Sequence, residues 1–452
     1  MGVLFGTDGV RGIANTELSP ELAFKLGYYG ARVLAADLQQ KPRFVIGHDT
    51  RLSSSMLENA LCAGICSAGA DAYCCGTIPT PGIAYLTAEK EFSAGVVISA
   101  SHNPYEFNGI KFFNSTGFKL SDEIEDQIEA YITGTRADDL PRPTGDALGT
   151  VFPYPQGIDA YMAHLRYAMG LDLHGLKIAM DCANGAAYSI APRIFRNLGA
   201  ELHLIGDIPD GININSGCGS TDLRALSELV VREKCDIGLA FDGDADRLLA
   251  IDHTGREVDG DEIMAILAEY LRSKNLLGKD TLVITVMSNL GLTKHAETAN
   301  LNIVTTKVGD RYVMEAMREG GYTLGGEQSG HFIMLDFATT GDGILSALAL
   351  LKALRKSHKT LHEAAKMVTI YPQVLLKTKV RNENKSKILD FPEVATAITK
   401  VQAVLGGNGR VLVRPSGTEP VIRVMIEGQD TEAIKAQAEE LVKIIETAEA
   451  SL

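Results

Sequence analysis

One theme occurs three times along the chain and limits the fold more than any other feature. An apolar run stops at a polar tip rich in Gly, Asp or Asn, a helical stretch follows, and a second apolar run stops at another such tip. The first pair is Phe44-Val45-Ile46, entering Gly47-His48-Asp49, and Gly95-Val96-Val97-Ile98, entering Ser99-Ala100-Ser101-His102-Asn103-Pro104. The second is Lys177-Ile178-Ala179-Met180, entering Asp181-Cys182-Ala183-Asn184-Gly185, and Ile237-Gly238-Leu239-Ala240-Phe241, entering Asp242. The third is Leu282-Val283-Ile284-Thr285-Val286, entering Met287-Ser288-Asn289, and Tyr322-Thr323-Leu324, entering Gly325-Gly326-Glu327-Gln328-Ser329-Gly330-His331. Short apolar runs alternating with helical patterns read as parallel α/β units. Ligands of such sheets bind beyond the carboxyl ends of the strands, where every one of these tips falls. The expectation is three similar mixed α/β domains around a central cleft. From about Thr369 the pattern turns β-rich, passes a Gly406-Gly407-Asn408-Gly409 turn and closes with a helix from about Thr431, as in a smaller α+β domain. A chain of 452 residues exceeds one ordinary core, and the expected domains are 1–153, 154–254, 255–367 and 368–452.

The tip Asp242-Gly243-Asp244-Ala245-Asp246-Arg247 puts carboxylates at every second position at the mouth of a buried strand. They cannot all ionise side by side cheaply without a cation. If the segment stays extended, alternation sets them on one side, and Gly243 lets it curl around an ion. Such oxygens suit Mg2+, which keeps its other positions for water and phosphate. A solvated turn that caps a helix is the alternative. An EF-hand is excluded, because Arg247 and His253 stand where its loop needs Gly and Glu.

Ser101 sits on a tight loop where Pro104 restricts Asn103 and small neighbours leave the hydroxyl open. No G-x-S-x-G elbow is present, and His102 is not by itself a triad base, since neighbours on a strand point opposite ways. A serine near a Mg2+ site and basic groups points to phosphoryl transfer. The basic groups are Arg11, Lys111, Arg247, Lys307 and Arg311, with Arg414-Pro415-Ser416-Gly417-Thr418-Glu419-Pro420 and Arg423 reading as a phosphate clamp. Glu327, Gln328, Ser329 and His331 suit recognition of sugar hydroxyls. Neither a Walker sequence nor a Rossmann fingerprint occurs.

A net charge of −14 argues against general nucleic-acid or membrane-surface binding, so an anionic substrate requires a local positive site. The seven cysteines (Cys62, Cys66, Cys74, Cys75, Cys182, Cys218 and Cys235) complete no zinc motif and read as buried reduced thiols of a cytoplasmic protein. The chain starts without the charged and apolar regions of a signal peptide, Gly6 stands where a myristoylation signal wants Ser or Thr, and no apolar stretch is long enough to span a bilayer.

Together, Phe5 to Gly12, Ser99 to Pro104, Asn108 to Phe113, Asp242 to Arg247, Gly325 to His331 and Arg414 to Pro420 resemble the α-D-phosphohexomutase family, on its bacterial amino-sugar side, over essentially the whole chain. The wider family often has Thr at the position of Ser99 and Gly at that of Ala245. The resemblance implies that Ser101 carries a covalent phosphate and shares Mg2+ with Asp242, Asp244 and Asp246. The implied reaction interconverts glucosamine 6-phosphate and glucosamine 1-phosphate. Phospho-Ser101 donates to O1, a glucosamine or glucose 1,6-bisphosphate serves as intermediate or activator, and after this turns around Ser101 takes back the 6-phosphoryl. Arg11, Lys111, His102, Arg247 and His331 become candidates for acid/base or charge-stabilising work. Lys307, Glu327 and Ser329 would hold the sugar, and Arg414, Ser416, Gly417, Thr418 and Arg423 the distal phosphate. The implied partner is a hexosamine phosphate, and a homodimer is the family-level expectation. A phosphomannomutase or phosphoglucomutase, a non-catalytic sugar-phosphate sensor and a Mg2+-dependent phosphatase remain alternatives.

Overall fold

The computed structural model of the chain describes residues 4–6, 8–36, 40–138, 141–416 and 420–452. Two compact units emerge: Met1–Met287 with Leu301–Met367, and Ser288–Asn300 with Val368–Leu452.

The first unit holds three sheets. Strands β1 (Val10–Ile13), β2 (Arg43–His48), β3 (Asp71–Thr77), β4 (Ala94–Ile98), β5 (Phe107–Asn114) and β6 (Val151–Pro153) lie in the order β1-β5-β4-β2-β3-β6. Strands β7 (Lys177–Asp181), β8 (Glu201–Ile205), β9 (Ile237–Phe241), β10 (Leu248–Asp252) and β11 (Glu257–Val258) form β11-β10-β9-β7-β8. Strands β12 (Thr281–Thr285), β13 (Asn302–Thr306), β14 (Leu324–Gly326) and β15 (Phe332–Met334) form β13-β12-β14-β15.

One arrangement underlies all three. The two apolar runs of each sequence pair become adjacent parallel strands: β2 with β4, β7 with β9, and β12 with β14. The second strand of each pair then returns antiparallel, as β5, β10 and β15. Those antiparallel returns make the sheets mixed. They also place Ser99 to Pro104, Asp242 to Arg247 and Glu327 to His331 on the same topological turn of three domains. Beneath them, β4 and β9 are buried along their whole lengths, as their unbroken apolar runs require.

The helices Pro20–Leu34 and Ser54–Ser67 cover one face of the first sheet, and Gly27 and Gly64 let them approach closely. A methyl at Gly64 would run into the Phe24 carbonyl oxygen, and one at Gly27 into that of Leu61.

In the second unit, β16 (Gln373–Lys379), β17 (Arg410–Pro415) and β18 (Val421–Glu427) form an antiparallel sheet in the order β16-β18-β17. Its core joins Ile422, Val424 and Ile426 to Ile434, Leu441 and Ile445 of the closing helix Thr431–Ser451. The β-rich reading of this tail missed the helix Pro392–Leu405, which Pro392 opens and Gly406 closes at φ +57°. Its Val394 and Val401, two turns apart on one helical face, share that core. All seven cysteines are free thiols. Among the described residues no helix is long and apolar enough to cross a membrane.

Replacing Gly64 with Ala is expected to push the two helices apart and destabilise the first unit by about 1–3 kcal/mol, the usual cost of overpacking. Thermal unfolding followed by circular dichroism checks this; an unchanged midpoint would show that the helix contact is slack.

Candidate active site

The Ser101 hydroxyl donates to Asp242 Oδ2 at 2.6 Å, joining the turn after β4 to the turn after β9. Ser101 holds a left-handed backbone (φ +49°) that a non-glycine residue adopts only under outside constraint. The constraint is visible. The buried Arg51 guanidinium donates to the carbonyls of Ser101 (2.9 Å), Asn103 (2.9 Å) and Pro104. Asp49 holds that guanidinium by its Nε at 2.8 Å. The same carboxylate accepts from Ser99 Oγ at 2.6 Å, and Ser99 Oγ accepts from the Ser101 amide at 3.0 Å. Across the domain boundary, Asn215 Nδ2 donates to the Ser101 carbonyl at 2.9 Å.

Asp242 to Asp246 is not extended. It forms a tight turn with Ala245 at φ +56°, and this turn, rather than strand alternation, brings the carboxylates together. One oxygen from each of Asp242, Asp244 and Asp246 lies within 4.8 Å of the others. Gly243 lets the two loops touch, because a Cβ there would sit 2.5 Å from the Ser101 carbonyl oxygen. The trio is buried, and Asp244 Oδ1 and Asp246 Oδ1 have no hydrogen-bond partner. Burial and the like charges of Asp246 and Asp244 push the Asp242 carboxyl well above the usual range. Crowded buried carboxylates with orphaned oxygens are what a divalent cation relieves, so these residues fit one.

Around the trio, acids and bases alternate. Lys111 Nζ lies 2.9 Å from Asp244 and 2.9 Å from Asp8. Lys119 bridges Asp8 and Asp310, and Arg11 pairs with Asp8. His331 lies between Asp310 and Asp246, 3.5 Å from each. The Arg247 Nε is 3.8 Å from Asp246 and 4.0 Å from Asp242. Thr80, first in the helix Thr80–Glu89, donates its hydroxyl to Asp244 at 2.6 Å and its amide to the Asp244 carbonyl at 3.0 Å.

This field separates the candidate groups. Burial disfavours a charged Lys111, but Asp244 and Asp8 outweigh it and raise its pKa, so Lys111 stays cationic. Arg11 and Arg247 are raised likewise, against burial, by Asp8 and Asp246 respectively. Burial also opposes the His331 cation, yet Asp246 and Asp310 lift it to about 9. The Gly341 amide, 3.1 Å from the same ring, would favour a neutral imidazole; two facing carboxylates prevail. In this field all four favour their protonated forms. His102 differs: burial, then Arg247 and Arg11, lower it to about 4. Its Nδ1 lies 3.3 Å from Ser101 Oγ, contrary to the expectation that neighbours point apart, because Ser101 turns instead of extending.

The chain belongs to the phosphoglucomutase/phosphomannomutase family. Its segments match that family's alpha/beta/alpha domain I over residues 2–138, domain II over 159–255, domain III over 259–371 and the C-terminal domain over 375–444. It is 55% identical over 448 residues to the phosphoglucosamine mutase of Caldicellulosiruptor bescii, covering 99% of each chain. Its fold matches a phosphoglucomutase/phosphomannomutase family protein from Burkholderia thailandensis with a TM-score of 0.80 at 23% identity, over 98% of this chain and 97% of the other. It also matches N-acetylphosphoglucosamine mutase from Aspergillus fumigatus, solved with GlcNAc-6P and magnesium, at a TM-score of 0.70 and 17% identity, over 99% and 96%.

The Glu327–His331 turn is tied to the acidic turn by backbone: Leu248 N donates to the Gly330 carbonyl at 2.9 Å. Glu327 accepts from the Gly309 amide at 3.1 Å, while Ser329 is exposed. Lys307 stands outside the ion-pair network, with its ammonium 5.8 Å from the Tyr312 ring centre. In the second unit, Arg414 and Arg423 are paired across β17 and β18, and Lys377 of β16 faces Arg423 on its other side. Burial and then the Arg423 charge lower the Arg414 pKa. Gly417 and Thr418 lie outside the described residues, beside Ser416.

Sequence reading missed Asp49, Arg51, Thr80, Lys119, Asn215, Asp310 and Lys377 as contributors. Asp310 had a signal, standing between Gly309 and Arg311 at a helix start; for Lys119 nothing local distinguishes it from a surface lysine.

Gly243→Ala is expected to part the Ser101 and Asp242 turns and cut phosphoryl-transfer kcat by at least about tenfold, as a displacement of an ångström does. Unchanged kcat in a steady-state assay would refute the contact. Asp342, whose side chain accepts from the buried Tyr161 hydroxyl at 2.9 Å and from the Leu345 amide at 2.9 Å, is raised by burial to about 7. A carboxyl raised on folding adds stability that is whole below its ordinary value of 3.8 and is lost as pH rises toward 7. Asp342→Asn should match the parent near pH 4 and exceed its melting temperature above about pH 7, by a margin on the order of a few kcal/mol. A gap independent of pH would show that Asp342 is ionised throughout.

Proposed function

We propose that the protein is a phosphoglucosamine mutase, an intramolecular phosphotransferase that interconverts glucosamine 6-phosphate and glucosamine 1-phosphate. The observation that carries this reading is the Ser101 hydroxyl, 2.6 Å from a buried aspartate trio. The amino-sugar assignment rests on relatives of that name at 51–55% identity over nearly the full chain. The fungal structure solved with magnesium supports the same choice of ion.

Asp242, Asp244 and Asp246, with the Ser101 oxygen, would hold Mg2+, which neutralises charge on a phosphoryl group when bound. Around it, Lys111, Arg11 and Arg247 keep their charge and form a fixed positive field where the phosphoryl passes. In the forward step the P–O bond to Ser101 breaks and one to sugar O1 forms, and the proton leaving O1 ends on the Ser101 oxygen set free. In the second half the 6-phosphoryl returns to Ser101. His102, neutral and 3.3 Å from Ser101 Oγ, is assigned the proton at that oxygen. His331, held as a cation, orients Asp246 and Asp310. Glu327, Ser329 and Lys307 are assigned to the sugar, and Arg414, Ser416, Gly417, Thr418 and Arg423 to the second phosphate. The same reading takes a hexose 1,6-bisphosphate as activator, places the protein in the cytoplasm, expects a homodimer and keeps domain limits of 1–153, 154–254, 255–367 and 368–452.

Purified protein should show a phosphate adduct by intact mass, lost together with mutase activity in Ser101→Ala. With a trace of hexose 1,6-bisphosphate, kcat/KM for glucosamine 6-phosphate should exceed that for glucose or mannose 6-phosphate by at least about tenfold. A preference for either neutral sugar would reassign the substrate. An active, phosphorylated Ser101→Ala protein would reject the nucleophile, and stoichiometric phosphate release would make the enzyme a phosphatase.

A further inference from the structure

A cavity of about 810 Å³ in the first unit lies away from the aspartate trio. It opens at the other end of β9, beside Ile237, while Asp242 follows the carboxyl end of that strand. Five strand residues separate the two, roughly 16 Å at the usual rise. Its volume falls in the range of small-molecule sites.

The lining is amphipathic. Leu176, Val231 and Leu354 contribute apolar surface, and Lys234, Arg355 and Lys359 contribute cations. Asp236 is the one carboxylate among the lining residues, and its Oδ2 is already taken by the Lys177 amide at 2.8 Å. A chain of net charge −14 has gathered three cations against one acid here. Arg355 lies in the last turn of the helix Gly343–Ser357, where a cation complements the helix dipole, and it also donates to the His174 carbonyl at 2.8 Å. Lys359 lies beyond that helix, and dipole complementation does not explain the apolar floor.

We propose that this cavity is an accessory binding site for a nucleoside phosphate. Its occupant must satisfy both halves of the lining. Inorganic phosphate leaves the apolar surface uncovered, and a hydrocarbon chain leaves the cations unanswered. A planar base on the apolar residues, with its phosphate at Lys234 and Lys359, uses both; the lining also includes His253, whose ring packs edge-to-face on His362 at 5.5 Å between centres. The proposal does not depend on which reaction the distant site catalyses.

The chain contains no tryptophan, and Val231 is 53% exposed, so Val231→Trp installs a single fluorescent reporter. Uridine monophosphate or adenosine monophosphate should change its emission saturably. Adding Lys234→Ala and Lys359→Ala should weaken binding by at least about tenfold, with inorganic phosphate and free uridine comparably weak. Excess glucosamine 6-phosphate should not displace the nucleotide. Calorimetry on the unaltered protein repeats the titration in case the reporter itself fills the cavity. No saturable binding by either method, undiminished binding after loss of the lysines, or displacement by glucosamine 6-phosphate would overturn the proposal. Tighter binding of hexaglutamate than of either nucleotide would reassign the groove to an acidic protein segment.

Discussion

Three carboxylates out of water in one turn set the terms for everything around them. Removing charge from solvent is expensive, and mutual repulsion adds to the expense. The chain meets this by closing a circuit of opposite charge: Asp246 to His331, His331 to Asp310, Asp310 to Lys119, Lys119 to Asp8, Asp8 to Lys111, and Lys111 back to Asp244. Its members come from all three sheets' loops. Three of its links cross between sheets, Lys111 to Asp244, His331 to Asp246 and Lys119 to Asp310, so the charges find their partners only when the three sheets assemble. The circuit leaves one oxygen each of Asp244 and Asp246 without a hydrogen-bond partner.

The repeated topology explains why those partners meet. After β4, β9 and β14 the chain reverses into an antiparallel neighbour, and such a reversal exposes a short loop beyond the sheet's carboxyl edge. One motif placed three times supplies three such loops. Different loop residues then set Ser101, the aspartate trio and the Glu327–His331 tip on like turns without altering the strands beneath. The same logic accounts for the backbone link between Leu248 and Gly330, where two of these reversals lie side by side.

Much of this was legible in the residues. Apolar runs ending in polar tips gave strand positions and the edge at which chemistry gathers, because burial on both faces leaves a period-free apolar signature. Ser101 and the aspartates were legible because their residue types are costly elsewhere. What escaped depended on tertiary contact. Lys119 and Asp310 stand nearly two hundred positions apart and acquire meaning only as a pair. Arg51 resembles any loop arginine until its guanidinium is seen holding three carbonyls of another loop. The helix Pro392–Leu405 escaped for a different reason: a β-rich flank on either side outweighed a modest helical pattern. Strand alternation misled at Asp242 and at His102, since both lie in turns with left-handed residues that no periodicity registers.

The second unit shows the opposite use of charge. Lys377, Arg423 and Arg414 stand in line across β16, β18 and β17, where residues in register share one face. Like charges so placed repel, and burial together with the Arg423 charge lowers the Arg414 pKa. Nothing in the fold of a small sheet requires such an arrangement; three apolar or mixed residues would pack at less cost. In the first unit acids and bases cancel to make a dry interior habitable. Here three cations share one face of a sheet, and a dianionic phosphate is a group that such a row can hold by bidentate hydrogen bonds. The reaction proposed for this protein turns over a molecule with a phosphate at each end. A closed ring of acids and bases around the aspartate trio and a row of cations on the small sheet are two different charge arrangements, and a reaction of that kind calls for both.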